Sequence, residues 1–319
     1  MKTLDFSGTL TALSSIAHSG GQSIGITQKL RREKFVQPDG TVEDIPIISG
    51  NGLRGMLRDR GMLHMCRALG YGVQEESGEV HGLSLPAFYF LFSGGTLTSD
   101  SGKGLDIQYA RRLRELVPLI GLFGGALGNQ IMPGKLRVGK AIPLCTETAH
   151  LVPARFKETA TSSVWDYLQE EMYTRKDDER NESLRGVLAP AERRLIDTRV
   201  PAAKGTAQTD TGQHQQMMYY VETFAAGTPF YWRLTLDDVT EIELEAFLTT
   251  LVEFSRLPYI GGKSAAGLGE IALKLDKWLE IDSRVAPSGK EVSFTLGTKY
   301  AEHLKQQHDD IRAILSGIQ

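Results

Sequence analysis

The chain has 319 residues, of which 41% are hydrophobic and 24% charged, and its formal net charge at pH 7 is −3. This composition is typical of a globular protein with a large core, and it excludes a polycation that coats nucleic acid, although it allows a local basic groove. The N-terminus turns polar within a few residues and no apolar run approaches the ~18 residues of a membrane span, so we expect no signal peptide and no membrane partner.

Two distant cysteines, Cys66 and Cys145, provide neither a disulfide framework nor a CxxC zinc motif. We therefore expect no metal site and a reducing, cytoplasmic setting. No motif indicates a bound cofactor.

The N-terminal third begins with a predicted strand, because apolar and polar residues alternate over 2–14. A polar, glycine-rich stretch follows at 18–25, then a basic run at 29–34 and a turn at 38–40. From about residue 50 the apolar spacing predicts a helix that ends near Leu69, with Ser49 or Asn51 as its cap.

The middle of the chain is less regular. Residues 70–104 are glycine-rich, a second helix is predicted over 105–120, and 134–145 is typical of a strand. Between about 155 and 216 the apolar periodicity fades into charged and small polar residues, which indicates a mobile excursion from the core.

The C-terminal third returns to strong patterns. Strands are predicted at 217–224 and 229–236, then a helix at 240–256 with Thr240 as cap and Glu243 as its capping-box partner. A glycine loop, a strand at 269–275 and a helix at 298–316 follow. Without insertions the order is β–α–β–β–α–β, so the predicted fold class is α+β, with a ferredoxin-like or RRM-like arrangement.

The glycine loop, PYIGGKSAAGLGEI at 258–271, contains fragments of two nucleotide-binding motifs. A P-loop needs a glycine where Leu257 or Pro258 stands, and a helix afterwards, whereas a strand is predicted here. A dinucleotide fingerprint lies between a strand and a helix, the reverse of this order. Two interpretations remain: a plain turn, or a nest of backbone amides that binds an anion.

A second motif, IPIISGNGLRGMLR at 45–58, places Arg54 and Arg58 on one face of the predicted helix, near its start. Cations there oppose the helix dipole. An anion docked at the helix N-terminus would resolve that conflict, and an ordinary exposed face is the alternative.

The segment IPIISGNGLRGMLR resembles the helix start of the repeat-associated mysterious proteins, the RAMP superfamily of CRISPR systems. PYIGGKSAAGLGEI looks like their C-terminal glycine-rich loop, and RFKETATSS at 155–163 resembles the start of the thumb in backbone subunits. The order of the motifs agrees as well, including HSGGQSIG at 18–25 and LFGG at 122–125. The resemblance covers nearly the whole chain and is strongest to the type IV backbone subunit.

This resemblance implies one RAMP domain over 1–319, an RRM-like palm with a helical or irregular insertion at about 70–130 and a thumb insertion at about 155–216. It implies an antiviral ribonucleoprotein in which copies stack along guide RNA (crRNA), whose bases pair with a target nucleic acid. Other CRISPR effector subunits and a helicase are the further partners implied.

Contacts to the RNA backbone fit a protein that leaves sequence reading to base pairing. The residues expected to bind RNA are polar, basic or glycine residues of the motifs and their surroundings: His18, Ser19, Gly20, Gly21, Lys29, Arg31, Arg32, Ser49, Asn51, Arg54, Arg58, Arg155, Lys157, Thr159, Gly261, Gly262, Lys263 and Ser264.

Catalysis is not expected. Type III relatives carry an aspartate for target cleavage in the loop after the first strand, and Thr27 or Gln28 stands at that place here. Neither side chain replaces a carboxylate as base or metal ligand, and Asp39 and Asp44 lie in the wrong local context. The alternative is a RAMP-type endoribonuclease that uses His18 to process guide RNA or cleave target RNA. A small-molecule enzyme on a ferredoxin-like fold is a third interpretation.

Overall fold

A computed structural model describes residues 2–72, 81–95, 106–128, 130–175, 217–282 and 286–318. The strands in these ranges are β1 (Lys2–Ala12), β2 (Ser19–Ile24), β3 (Thr27–Leu30), β4 (Arg32–Val36), β5 (Val42–Pro46), β6 (Gly125–Leu127), β7 (Gln130–Met132), β8 (Leu136–Val138), β9 (Ile142–Pro143), β10 (Leu168–Arg175), β11 (Met217–Phe224), β12 (Pro229–Val239), β13 (Ile271–Asp282) and β14 (Ala286–Glu291). The α-helices are α1 (Gly50–Ala68), α2 (Leu85–Phe88), α3 (Ile107–Leu116), α4 (Pro118–Phe123), α5 (Ala154–Lys157), α6 (Glu241–Arg256), α7 (Lys299–Gln306) and α8 (His308–Ser316). The fold class is thus α+β, as predicted.

The main sheet has the strand order β14-β13-β1-β12-β8, with β9 also paired to β12, and its pairings are antiparallel. In the centre, Phe6 lies opposite Leu234 on one side and Trp278 on the other. Helix α6 packs on the apolar face of this sheet, where the rings of Phe6 and Phe247 are 5.2 Å apart. Helix α1 lies close against α6, because a Cβ on Gly61 would be 2.5 Å from Thr250 Oγ1.

A second sheet has the order β10-β11-β3-β2 and joins distant segments. Strands β11 and β3 are parallel, with Tyr220 opposite Thr27 and Val221 opposite Gln28. The glycine-rich stretch at 18–25, predicted as a loop, therefore forms most of an edge strand. It carries no apolar alternation because the side chains that the structure describes from 19 to 26 are exposed.

The helices with strong local caps agree with prediction. In α1 the Ser49 hydroxyl accepts the N–H of Gly52, and in α6 Thr240 and Glu243 form the capping box. The helix predicted over 105–120 is interrupted at Val117, because the residue before a proline avoids helical geometry and Pro118 begins α4.

Two other expected elements are also subdivided. The C-terminal helix divides into α7 and α8 at Gln307, and the strand expected at 134–145 is the short pair β8 and β9. Of the thumb insertion expected at 155–216, residues 176–216 lie outside the described residues. None of the helices in the described ranges combines the length and apolarity that a membrane crossing requires.

Candidate nucleic-acid interface

Two clefts lie beside the first turns of α1. The Arg54 cleft, about 600 Å³, has Asn51, Arg54, Gly55 and Arg58 along one wall. The Lys263 cleft, about 400 Å³, contacts α1 only through Met56. It brings together predicted RNA-binding residues from the 18–29 segment and from the C-terminal glycine loop: His18, Ser19, Lys29, Gly261, Gly262 and Lys263.

Arg58 is buried and serves the fold. Its Nη2 donates to the carbonyl oxygens of Phe123 at 2.7 Å and Gly124 at 2.8 Å, and the guanidinium lies over the Phe123 ring. Burial, with Arg54 nearby, lowers its pKa to about 10. Within the chain, the partners of this arginine are thus the carbonyls at the end of α4, and its burial contradicts the alternative of an ordinary exposed face.

Arg54 is half-buried and only partly engaged. One of its nitrogens donates to the Phe123 carbonyl oxygen, and burial lowers its pKa from the ordinary value. An arginine has five N–H donors, so this side chain retains donors for a ligand in the cleft. Asn51 is exposed at the start of the helix.

His18 fixes the start of α1. Its Nε2 accepts the backbone N–H of Ser49 at 3.0 Å and lies 3.0 Å from the Ser49 hydroxyl oxygen. A nitrogen that accepts this bond is unprotonated, so the neutral ring carries its proton on Nδ1. Burial, and then the charge of Arg31, lower the pKa of His18. The group is therefore held neutral and its acceptor nitrogen is occupied.

Two of the four cations in the basic run at 29–34 are paired with carboxylates. Lys29 Nζ lies 2.9 Å from Glu170 and 3.2 Å from Glu222, and Arg32 Nη2 lies 2.6 Å from Glu222. The hydrogen bond to Glu170 raises the pKa of Lys29. Arg31 differs, because it is exposed and has no ion-pair partner among the described residues.

Glu222 is the buried centre of this network. It also accepts the backbone N–H of Leu30 at 2.9 Å. Although burial acts to raise it, hydrogen bonds from Leu30, Arg32 and Lys29 hold the pKa of Glu222 below its ordinary value. Sequence reasoning missed this residue; its only signal was a lone carboxylate within an otherwise apolar predicted strand.

The glycine loop packs closely against the connection between β1 and β2. Gly262 donates its N–H to the Ala17 carbonyl at 2.7 Å, and a Cβ on Gly261 would lie 2.3 Å from that same oxygen. The Gly262 amide is thus already engaged and does not contribute to an anion nest. Ser264 is exposed at the start of a 3₁₀ turn (Ser264–Ala266).

Lys263 projects over two aromatic rings that the sequence did not assign to the site. The rings of Tyr173 and Tyr219 stack with centroids 5.5 Å apart, and Lys263 Nζ lies 4.7 and 4.9 Å from their respective centroids. The lysine has φ 62°, a left-handed conformation. This cation–π pairing positions the ammonium, and no carboxylate of the described residues forms an ion pair with it.

Three predicted residues lie elsewhere. Arg155 donates to the Ser7 hydroxyl at 3.0 Å and pairs with Asp276 at 3.3 Å, on the face of the main sheet that points away from Phe6 and α6. Lys157 and Thr159, which follow Arg155 in the chain, are exposed. None of the three lines either cleft.

The remaining predicted residues lie on the second sheet. Ser19, Gly20 and Gly21 are exposed on the edge strand β2, where the Ser19 hydroxyl accepts the Gly21 N–H at 3.1 Å. Gln28, which with Thr27 was matched to the aspartate of the type III relatives, lines the Lys263 cleft.

The carboxylates considered for catalysis are not grouped. Asp39 accepts from the Thr41 N–H and hydroxyl in the turn between β4 and β5, and Asp44 is exposed on β5. Within the described ranges, no three His, Cys, Asp or Glu side chains are close enough to hold a metal ion.

No protein-family model matches the chain, and no curated protein matches it either. Its fold is similar to a solved chain from a "Type IV-B CRISPR Complex", at 23% identity and a TM-score of 0.55 over 92% of this chain and 96% of that chain. The structure titled "Crystal structure of Thermofilum pendens Csc2" gives 14% identity and a TM-score of 0.41 over 99% of this chain and 80% of that chain, too low to support an argument. The resemblance to a type IV CRISPR subunit expected from the sequence is thus confirmed at the level of the fold.

Proposed function

We propose that this chain is a backbone subunit of a multi-subunit CRISPR effector. In this role it binds guide RNA without sequence specificity, oligomerises along it and presents the guide for pairing with a target nucleic acid. The observation that carries the proposal is the Lys263 cleft, in which residues of the 18–29 segment meet the C-terminal glycine loop. The likeness to a chain of the type IV-B complex supports it.

We infer a ferredoxin-like palm from four strands and two helices. Strands β1, β8, β12 and β13 are, in chain order, the first to fourth strands of a β–α–β–β–α–β unit whose helices are α1 and α6. Their order in the sheet is fourth, first, third, second, with antiparallel neighbours, which is the ferredoxin-like order. Strands β10 and β11 flank residues 176–216 and form the base of the inferred thumb.

The RNA backbone is proposed to cross the first turns of α1 between the two clefts. Lys263, Arg31 and Arg54 supply uncompensated or partly engaged cations, and Lys29 joins them by exchanging Glu170 for a phosphate. Such contacts do not depend on base identity, and their strength falls with salt.

We infer that the subunit does not cleave RNA. A general base needs a free acceptor nitrogen near the nucleophile, whereas His18 Nε2 already accepts the Ser49 N–H. No observation favours the endoribonuclease alternative over the scaffold. A cytoplasmic location, and a helicase and other effector subunits as partners, belong to this proposal.

The test is binding of a labelled guide RNA by the purified chain at low and at physiological salt. The informative variant is Lys263→Asn, since asparagine tolerates the left-handed conformation while removing the charge. We expect this variant to lose affinity for every RNA sequence alike, whereas Lys305→Asn, an exposed lysine on α7, leaves binding unchanged. A wild-type chain that binds no guide RNA at low salt would overturn the function.

A further inference from the structure

Among the residues that the structure describes, Gly55 has no packing partner that would require a glycine. A glycine in a helix interior costs about 1 kcal/mol relative to alanine. Elsewhere in α1 the chain leaves little or no room for a side chain: a Cβ would lie 2.4 Å from Val138 O at Gly50, 2.9 Å from His18 at Gly52 and 2.5 Å from Thr250 at Gly61. At Gly55, apart from the flanking residues and the backbone of the helix itself, no atom of the described residues lies within 4 Å of that position. The space beside this helix backbone is open.

That space belongs to the Arg54 cleft. The cleft volume of about 600 Å³ falls within the range of sites that enclose a small organic group. Arg54 and Asn51 line it beside Gly55, and its lining includes no acidic residue from the described part of the chain. The lining therefore suits an electron-rich or anionic group rather than a cation.

Another part of the lining is aromatic and apolar. Phe92 lines the cleft from a π-helical turn (Tyr89–Ser93), an uncommon geometry that recurs at functional sites. Its ring centroid lies 5.0 Å from that of Phe88, a residue that is 45% exposed, and the two rings are tilted by 33°. Ile131, 68% exposed, lines the cleft as well. An aromatic ring beside a guanidinium, here Phe92 with Arg54, is a combination that binds unpaired nucleobases.

We propose that the Arg54 cleft binds one nucleobase of the RNA strand. The flat base lies against the backbone of α1 at Gly55 and contacts Phe92, while Arg54 donates to its polar edge or to the adjoining phosphate. This rests on the proposed function, and it adds a base-binding subsite to a backbone-binding protein. Every base has a π-face, so such a subsite keeps the binding independent of sequence.

The experiment combines Gly55→Ala with RNA that lacks bases. The two ligands are a strand of about 15 uridines and a ribose-phosphate strand of the same length without bases. The wild-type chain is expected to bind oligouridine about tenfold more tightly than the abasic strand. Gly55→Ala is expected to remove most of that difference by weakening oligouridine binding alone.

Misfolding does not account for such a loss, since alanine favours the helix and the melting temperature of Gly55→Ala is expected to rise. The matched control is Gly82→Ala, an exposed glycine with equally open space that lines neither cleft, and its affinities are expected to equal those of the wild type.

Unchanged oligouridine binding by Gly55→Ala would refute the subsite. Equal losses on both strands would place sugar and phosphate in the cleft and refute it too, while leaving the proposed function standing. A wild-type chain that binds neither strand would overturn the proposed function itself.

Discussion

Arg58 donates to the Phe123 carbonyl at 2.7 Å and covers the ring of the same residue. Arg58 and Arg54 thus both donate to a carbonyl at the C-terminal end of α4, where no further helical turn supplies an N–H. This contact connects the motif helix α1 to the middle of the chain.

We therefore expect Arg58→Ala to lower the free energy of unfolding by roughly 2–4 kcal/mol, because buried carbonyls lose a charged donor. Urea denaturation measures this. The control is Arg60→Ala on the same helix, where the arginine has only a long 3.4 Å contact to Leu257 O and the expected change is within about 0.5 kcal/mol. An Arg58→Ala chain of unchanged stability that binds RNA poorly would instead identify Arg58 as a phosphate ligand.

Neighbouring arginines in the basic run are expected to behave differently. Arg31→Gln removes an exposed, uncompensated charge and should reduce both RNA affinity and the dependence of log affinity on log salt, by roughly 0.7 in slope. Arg32→Gln removes a partner of buried Glu222, and its main effect should be a lower melting temperature. Titrations at several salt concentrations and thermal melts separate the two. The reverse pattern would contradict these assignments.

Glu170 is expected to restrain RNA binding. Its carboxylate, 48% exposed, lies 2.9 Å from Lys29 Nζ and competes with phosphate for that ammonium. Glu170→Gln should therefore raise RNA affinity and steepen its salt dependence, as measured by fluorescence anisotropy. Glu291→Gln, on β14 of the other sheet, serves as a charge-matched control. Equal gains in both variants would indicate only a change in net charge.

Acid is expected to weaken the attachment of His18 to α1. The pKa of His18 is lower in the folded protein than in the unfolded chain, where it is about 6.5. The stability that the neutral ring contributes is therefore complete above a pH of about 6.5, and it is lost as the pH falls towards the pKa of the folded state. His18→Ala lacks the bond to Ser49 at any pH. The difference in unfolding free energy between wild type and variant should thus shrink between pH 7.5 and pH 5, measured by urea denaturation. A difference that grows in acid would mean that the protonated ring is the bound form.

The features that the sequence predicted well depend on neighbouring residues. Thr240 and Glu243 are three positions apart, and both halves of their capping box are present. The interruption before Pro118 had an equally local signal, which the prediction of one continuous helix overlooked.

The contacts that determine which basic residues are already paired within the fold are long-range. Arg58 and Phe123 are 65 residues apart, and Lys29 and Glu222 are 193 apart, so residue spacing carries no information about either pair. The sequence therefore identified the basic residues but not which of them are already neutralised. The stacked tyrosines beneath Lys263 were hidden for the same reason, since each lies on a different strand.

The pairing of β3 with β11 also constrains when the Lys263 cleft can exist. Leu30 and Glu222 are 192 residues apart, and their hydrogen bond joins segments made early and late in synthesis. Contacts of such separation form slowly, because a large loop must close before they contribute any stability. A nascent chain released as far as α1 already carries Lys29, Arg31 and Arg54, and it can pair β3 with β2, but it lacks β11, the parallel partner of β3. The cleft is therefore assembled only after α6 and the glycine loop have been synthesised, so the RNA binding proposed for this site requires a chain that extends beyond Lys263.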